Sequence, residues 1–116
     1  MDVNQPSVSI LLPVYNAAKT LDETLHSIAA QSMASFEVVA VDDGSTDDSS
    51  EILKAWAKRD KRFKPIFSEH HGIVEAPNRG LRYCRGSYVA RMDADDRMHV
   101  DRLKKQADLL DASPGV

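Results

Sequence analysis

Four short apolar runs, Val8–Tyr15, Phe36–Val41, Phe63–Phe67 and Ser87–Met92, alternate along this chain with stretches of helical periodicity. The runs are rich in Val, Ile and aromatics and nearly continuous in apolar character, as strands buried on both faces are. Strand followed by helix four times over predicts an α/β fold of three layers, αβα. At its centre is a mostly parallel sheet of about four strands with right-handed crossovers.

The intervening segments carry their own stripes. Leu21, Leu25, Ile28 and Ala29 share one helical face, and Thr20 and Glu23 stand at capping-box spacing where that helix should begin. Ile52, Leu53, Trp56 and Ala57 form a second stripe, with Ser45, Thr46 and Asp47 as candidate N-caps ahead of it. A third helix is expected from near Val74 to Tyr83, with Pro77 in its first turn, where the missing N–H costs nothing. A fourth, from about Val100 to Ala112, carries Leu103, Ala107 and Leu110 and ends at Pro114-Gly115. No repeat or linker-like stretch divides the chain, so one domain is expected across its 116 residues.

Charge and cysteine usage exclude several classes of function. A formal net charge of −3 without any basic stretch argues against a nucleic-acid partner, and a phosphate-bearing ligand would need a cation or backbone N–H groups. Val8–Tyr15 is too short to span a bilayer, and Met1–Gln5 has neither the basic nor the apolar region of a signal peptide. Cys84 is the single cysteine, expected on the third helix as a buried structural thiol. With no internal disulfide possible, a cytoplasmic location is the expectation.

In parallel sheets of this kind, ligands bind beyond the carboxyl ends of the strands. Those ends read Pro13-Val14-Tyr15-Asn16, Asp42-Asp43-Gly44-Ser45, Ser68-Glu69-His70-His71-Gly72 and Asp93-Ala94-Asp95-Asp96. Three carboxylates within the last four residues repel one another, by about 4 kcal/mol per close pair at an effective dielectric near 20. A hard divalent cation relieves that repulsion, and so does a solvated turn capping the next helix. Asp42 and Asp43 precede a glycine that permits close approach of a ligand, although a plain strand-to-helix turn uses the same residues. Tyr15 offers a stacking face, but taken alone its ring reads as core packing. His70 and His71 lack a second pair at zinc-like spacing and read as loop residues. Dinucleotide, P-loop and serine-hydrolase fingerprints are all missing from the sequence.

Taken in order, four segments resemble the family 2 glycosyltransferases. Val8-Ser-Ile-Leu-Leu-Pro-Val-Tyr-Asn16 resembles the family's opening strand, and Phe36-Glu-Val-Val-Ala-Val-Asp-Asp-Gly-Ser-Thr-Asp47 its second strand and turn. Gly72-Ile-Val-Glu-Ala-Pro-Asn-Arg-Gly-Leu81 resembles its glycine-and-asparagine segment, and Gly86-Ser-Tyr-Val-Ala-Arg-Met-Asp-Ala-Asp-Asp96 its metal motif. The resemblance implies a Rossmann-like GT-A fold, here in truncated form. It also implies a nucleotide-diphospho-sugar donor, UDP-sugar in the usual case, and a role in cell-surface polysaccharide synthesis. Pro13, Tyr15 and Asp43 would then surround the base, with Asn16 beside them, and Asp93 would face the ribose. Asp95, with Asp93, would hold Mg²⁺ or Mn²⁺, and Asp96 would support them. Many relatives carry arginine or leucine where this chain has Pro77, so a phosphate contact falls instead to Arg79.

The family inverts the anomeric centre with a downstream carboxylate as general base for the acceptor hydroxyl. The resemblance places that base, another strand and the site for a saccharide or lipid acceptor beyond residue 116. Residues 1–116 are thus expected to be the nucleotide-sugar-binding part, inactive in transfer by themselves. Their uncovered sheet edge would favour self-association, and the full-length protein would sit at the inner face of the membrane. The competing reading is a stand-alone nucleotide- or metal-binding regulatory α/β module, such as a phospho-acceptor receiver domain. Asn16 and Ser68 stand where a receiver would need acidic residues.

Overall fold

The computed structural model describes residues 6–31, 35–69, 80–98 and 102–105. Its elements run β1 (Val8–Val14), α1 (Ala18–Ala29), β2 (Phe36–Asp43), α2 (Ser49–Arg59), β3 (Phe63–Ser68) and β4 (Tyr88–Arg91). Gly80, Leu81 and residues 102–105 are also helical, within the stretches expected to form the third and fourth helices. The rest of those two helices, with His70, His71, Pro77 and Arg79, lies outside the described residues.

All strand pairings are parallel, and the sheet order is β3-β2-β1-β4. Side chains alternate across the pleat, so each strand feeds two cores. Val8, Ile10, Leu12 and Val14 of β1 and Phe36, Val38 and Ala40 of β2 share one buried cluster with Leu21, Leu25 and Ile28 of α1 and Leu53 and Trp56 of α2. Complete burial of Leu21, Leu25 and Ile28 contributes about 1.5–3 kcal/mol for each side chain. Leu11, Val39 and Val41 point to the other face, where Ile66 and Cys84 pack on them. Gly80 presses on that face so closely that a Cβ there would lie 2.2 Å from Leu11 Cδ1. The layers are therefore αβα, as the alternation of patterns predicts.

Three local expectations are corrected. α1 starts at Ala18, two residues ahead of the capping box, and no side chain caps it from its own N-cap, Ala17. Its first N–H groups are met from another loop: Ala17 N–H donates to Ser49 Oγ (2.9 Å) and Ala18 N–H to Asp47 Oδ2 (3.1 Å). At α2 the N-cap position falls on Asp48, while Asp47 Oδ1 accepts from Ser49 N–H (2.9 Å). Cys84 follows the helical turn rather than lying on it, and is half-buried. Burial, and then the nearby Glu37 carboxylate, push its thiol pKa up, so it is a poor nucleophile.

Strand order locates the site. From β1 the chain steps outward through β2 to β3, then returns to lay β4 on the other side of β1. The reversal falls between β1 and β4, so a ligand crevice is expected beyond the carboxyl ends of those two strands.

Candidate functional site

At the end of β1 the chain turns sharply. Asn16 holds a left-handed backbone with φ 49, a conformation asparagine tolerates better than most residues. Its Oδ1 accepts from Thr46 N–H (2.8 Å) and from the Thr46 hydroxyl (3.3 Å), and its own N–H donates to Ser45 Oγ (3.0 Å). The β1–α1 and β2–α2 loops are thereby tied together. Tyr15, next to this turn, is 47% exposed, so its ring is not part of the core. The core-packing reading of Tyr15 fails because the turn carries the side chain past the end of the sheet.

β2 runs two residues further than its apolar run, through Asp42 and Asp43, both buried. Alternation separates their roles. Asp42 faces α2, where Oδ1 accepts from Ser45 N–H (3.0 Å) and Oδ2 from the Ser50 hydroxyl. Asp43 projects to the opposite side and lines the crevice. The first acid closes the turn, and the second faces the ligand space.

Beyond β4 the acidic loop is held from α1. Thr20 and Thr24 hydroxyls donate to the Ala94 carbonyl (3.0 and 2.9 Å), and Thr24 Oγ1 also lies 2.6 Å from the Asp96 carbonyl. Further on, Met98 N–H donates to Ser27 Oγ (2.9 Å) and Leu103 N–H to Gln31 Oε1 (3.1 Å). Thr20, Thr24, Ser27 and Gln31 thus form a polar stripe at helical spacing beside the apolar one. Reading the sequence for apolar periodicity alone overlooks it.

A cavity of about 410 Å³ opens between these loops. Pro13, Tyr15, Asn16, Asp43, Asp93 and Asp95 all line it, together with Val14, Ala17, Thr20, Arg91 and Ala94. Six of the eight residues expected at a site are therefore brought to one crevice, while Asp96 is not among its lining residues and Arg79 lies outside the described residues. Arg91, which no motif singles out, joins them.

Carboxylate oxygens of Asp93, Asp95 and Asp96 come within 4.8 Å of one another, and all three residues are exposed. Asp96 Oδ2 accepts from Asp93 N–H (3.3 Å), which directs it to the turn. Hard oxygen donors this close together suit Mg²⁺ or Mn²⁺, which bind through one or two carboxylates plus ligand phosphates.

Comparison with known proteins agrees with this geometry. Over 107 residues the chain is 37% identical to a Bacillus subtilis protein named for teichuronic acid biosynthesis, the glycosyltransferase TuaG, covering 91% of this chain and 42% of TuaG. A Haemophilus influenzae glycosyltransferase is 38% identical over 109 residues, covering 93% and 44% of the two chains. Among solved structures, S. aureus TarS 1–349 with UDP-GlcNAc superposes with a TM-score of 0.84 at 33% identity, covering 91% of this chain and 31% of that one. The mannosyltransferase PcManGT of Pyrobaculum calidifontis, with GDP-Man and Mn²⁺, gives 0.83 at 31% identity, covering 97% and 34%. The chain spans less than half the length of these relatives. Residues 9–116 match the family described as Glycosyl transferase family 2, and the chain belongs to that family, with its GT-A fold.

Proposed function

We propose that this chain carries the donor side of a metal-dependent, inverting transferase that uses a nucleotide-diphospho-sugar, UDP-sugar in the first instance. The observation that carries the reading is one crevice at the β1/β4 switch point in which Tyr15, Asp43, Asp93 and Asp95 meet. Pro13 and Tyr15 supply an apolar and aromatic surface for the base, and Asp43 accepts a hydrogen bond from it. Asn16 has Oδ1 engaged by Thr46, so its contact to the nucleotide falls to the amide NH₂. Asp93 accepts from the ribose, Asp95 and Asp93 hold Mg²⁺ or Mn²⁺, and Arg79 contacts phosphate. The cation, when bound, offsets negative charge that builds on the departing diphosphate.

In this reading the acceptor hydroxyl oxygen bonds to the anomeric carbon as the C–O bond to the diphosphate breaks, and its proton passes to a general base. We place that base, and the site for a saccharide or lipid acceptor, in the additional length that the relatives have. TuaG is named for teichuronic acid biosynthesis; cell-surface polysaccharide synthesis at the inner face of the membrane is the corresponding role here. Alone, the chain binds donor without transferring sugar. Its β4 edge, where Val89 is 48% exposed, is where the isolated chain would self-associate.

A receiver-type regulatory module is disfavoured by topology, because flavodoxin-like sheets place the first strand between the second and third, whereas β1 lies between β2 and β4. Thermal shift separates the two readings. UDP with Mn²⁺ should raise the midpoint and acetyl phosphate should not; the reverse pattern would overturn the transferase reading.

A further inference from the structure

We propose that Arg91 selects the base of the bound nucleotide. Together with Asp43 it reads the adjacent N–H and C=O of a lactam base, the edge that uracil and guanine present and cytosine and adenine lack. The proposal rests on the nucleotide reading above and adds to it a residue and a specificity.

Register places the two side chains. Arg91 pairs with Leu11 across the β1–β4 ladder, and Pro13 pairs with Val41 across β1–β2. Pleating turns register partners, and residues two apart along a strand, to the same side of the sheet. Arg91, Pro13 and Asp43 therefore project from the face that carries Leu11 and Val41, and all three line the cavity. Since β1 is the middle strand of the three, Pro13 forms a floor with Asp43 on one flank and Arg91 on the other. Across the sheet two strand spacings, roughly 10 Å, separate the flanking backbones. Along it Asp43 lies one step past the pairing of Val14 with Asp42, and Arg91 lies level with Leu11, about four residues or roughly 13 Å back. The arginine therefore reaches a base beside Asp43 with its side chain extended along β1 toward the strand ends.

Charge supports a ligand role. Among the described residues Arg91 is the one cationic side chain lining a cavity that also holds Asp43, Asp93 and Asp95. Its guanidinium has no hydrogen-bond or ion-pair partner among the described residues; only its backbone carbonyl is engaged, by Arg102 Nη2 at 3.4 Å. An arginine serving merely to neutralise the acidic loop would pair with it. Instead a donor-only fork and an acceptor-only carboxylate line one cavity on either side of Pro13. A lactam N–H donates to the carboxylate while its neighbouring carbonyl accepts from the guanidinium. Cytosine and adenine reverse that order, placing a ring-nitrogen lone pair beside an amino group, so each protein group would meet its own kind. Sites built to hydrogen-bond a ligand reject analogues that cannot reciprocate.

The test is a set of titrations of the unaltered chain, Arg91→Met and Arg91→Lys with uridine, UDP and CDP, all in Mg²⁺. We expect the unaltered chain to prefer UDP over CDP. Arg91→Met should weaken uridine and UDP by the same factor, about tenfold for a charge-assisted hydrogen bond, and narrow the UDP/CDP preference accordingly. Arg91 is exposed, so the unliganded melting midpoint should not move. Arg91→Lys, which keeps the charge and loses the fork, should recover only part of the uridine affinity. Loss confined to UDP with uridine unchanged would assign Arg91 to phosphate and overturn the proposal. Equal affinity of the unaltered chain for UDP and CDP would overturn it too, while leaving the nucleotide reading intact. Failure of the unaltered chain to bind any of the three would overturn both.

Discussion

Asn16 Oδ1 accepts a hydrogen bond from Thr46 N–H at 2.8 Å, joining the loops that follow β1 and β2 at the rim of the crevice. The bond and the left-handed φ of 49 depend on one residue. Asn16→Gly keeps the backbone freedom and loses the bond; Asn16→Ala loses both. Chemical denaturation should therefore find Ala less stable than Gly by about 1 kcal/mol, the cost of a Cβ in that region. Both should weaken UDP binding, since Tyr15 and Asp43 are held by the loops this bond connects. Equal stabilities would show that the turn does not require the left-handed state.

Thr24→Val keeps shape and removes a hydroxyl shared by the Ala94 and Asp96 carbonyls. Ala94 retains Thr20 as donor, while the Asp96 carbonyl, on an exposed residue, loses this contact, a change worth about 0.5–1.5 kcal/mol. UDP affinity in Mn²⁺ should fall more than uridine affinity, because the loosened loop carries both metal ligands, Asp93 and Asp95, while uridine meets only Asp93 there. Titration of both ligands checks this.

Glu37 is 2% exposed and accepts from Ser9 Oγ (2.5 Å), Lys64 Nζ (2.8 Å) and Arg85 N–H (2.6 Å). Burial pushes its pKa up, but these three partners together outweigh burial and hold it below the ordinary glutamate value. A folded pKa below the unfolded one stabilises the fold above the unfolded value, near 4.5, and that contribution is lost as pH falls through the folded pKa. Melting midpoints should therefore decline below about pH 4.5 in the unaltered chain. Glu37→Gln should melt lower at pH 7 and show a shallower acid limb. Some decline should remain, because Asp47 and Asp60 are also depressed, chiefly by hydrogen bonds from Ser49 and Arg62 respectively. An unchanged acid limb would contradict the assignment.

Gly86 and Gly80 separate two kinds of close approach. A Cβ at Gly86 would meet Ser9 N at 2.5 Å and Val8 C at 2.7 Å, both backbone atoms of β1. At Gly80 it would meet the side chains of Leu11 and Val41, which can change rotamer. Gly86→Ala should thus lower the melting midpoint more than Gly80→Ala, whose overpacking costs about 1–3 kcal/mol. The reverse order would show that β4 can shift away from β1.

Much of this arrangement is legible in the sequence because strands and acidic strand ends are local signals. Val8, Phe36, Phe63 and their neighbours announce β1 to β3 by composition, and the acids that end β2 and follow β4 mark the crevice. What escapes is whatever depends on distant partners. α1 is capped by Ser49 and Asp47, about thirty residues away in sequence, so its start cannot be read from Thr20 and Glu23. Asp42 and Asp43 look alike in sequence and differ only by which face of the sheet they point to. Arg91 belongs to an apolar run, and only its register with Leu11 turns it toward the ligand space.

The central claim is that the acidic loop and the crevice bind a nucleoside diphosphate through a divalent cation, and calorimetric titration tests it most directly. UDP should bind distinctly better in Mn²⁺ or Mg²⁺ than in EDTA, since three carboxylates within 4.8 Å otherwise repel the diphosphate. Asp95→Asn should abolish that difference without lowering the unliganded stability, because it removes one charge from a repelling cluster. Asp43→Ala should instead weaken uridine and UDP alike. Equal UDP affinity with and without EDTA, or full metal dependence in Asp95→Asn, would contradict the account.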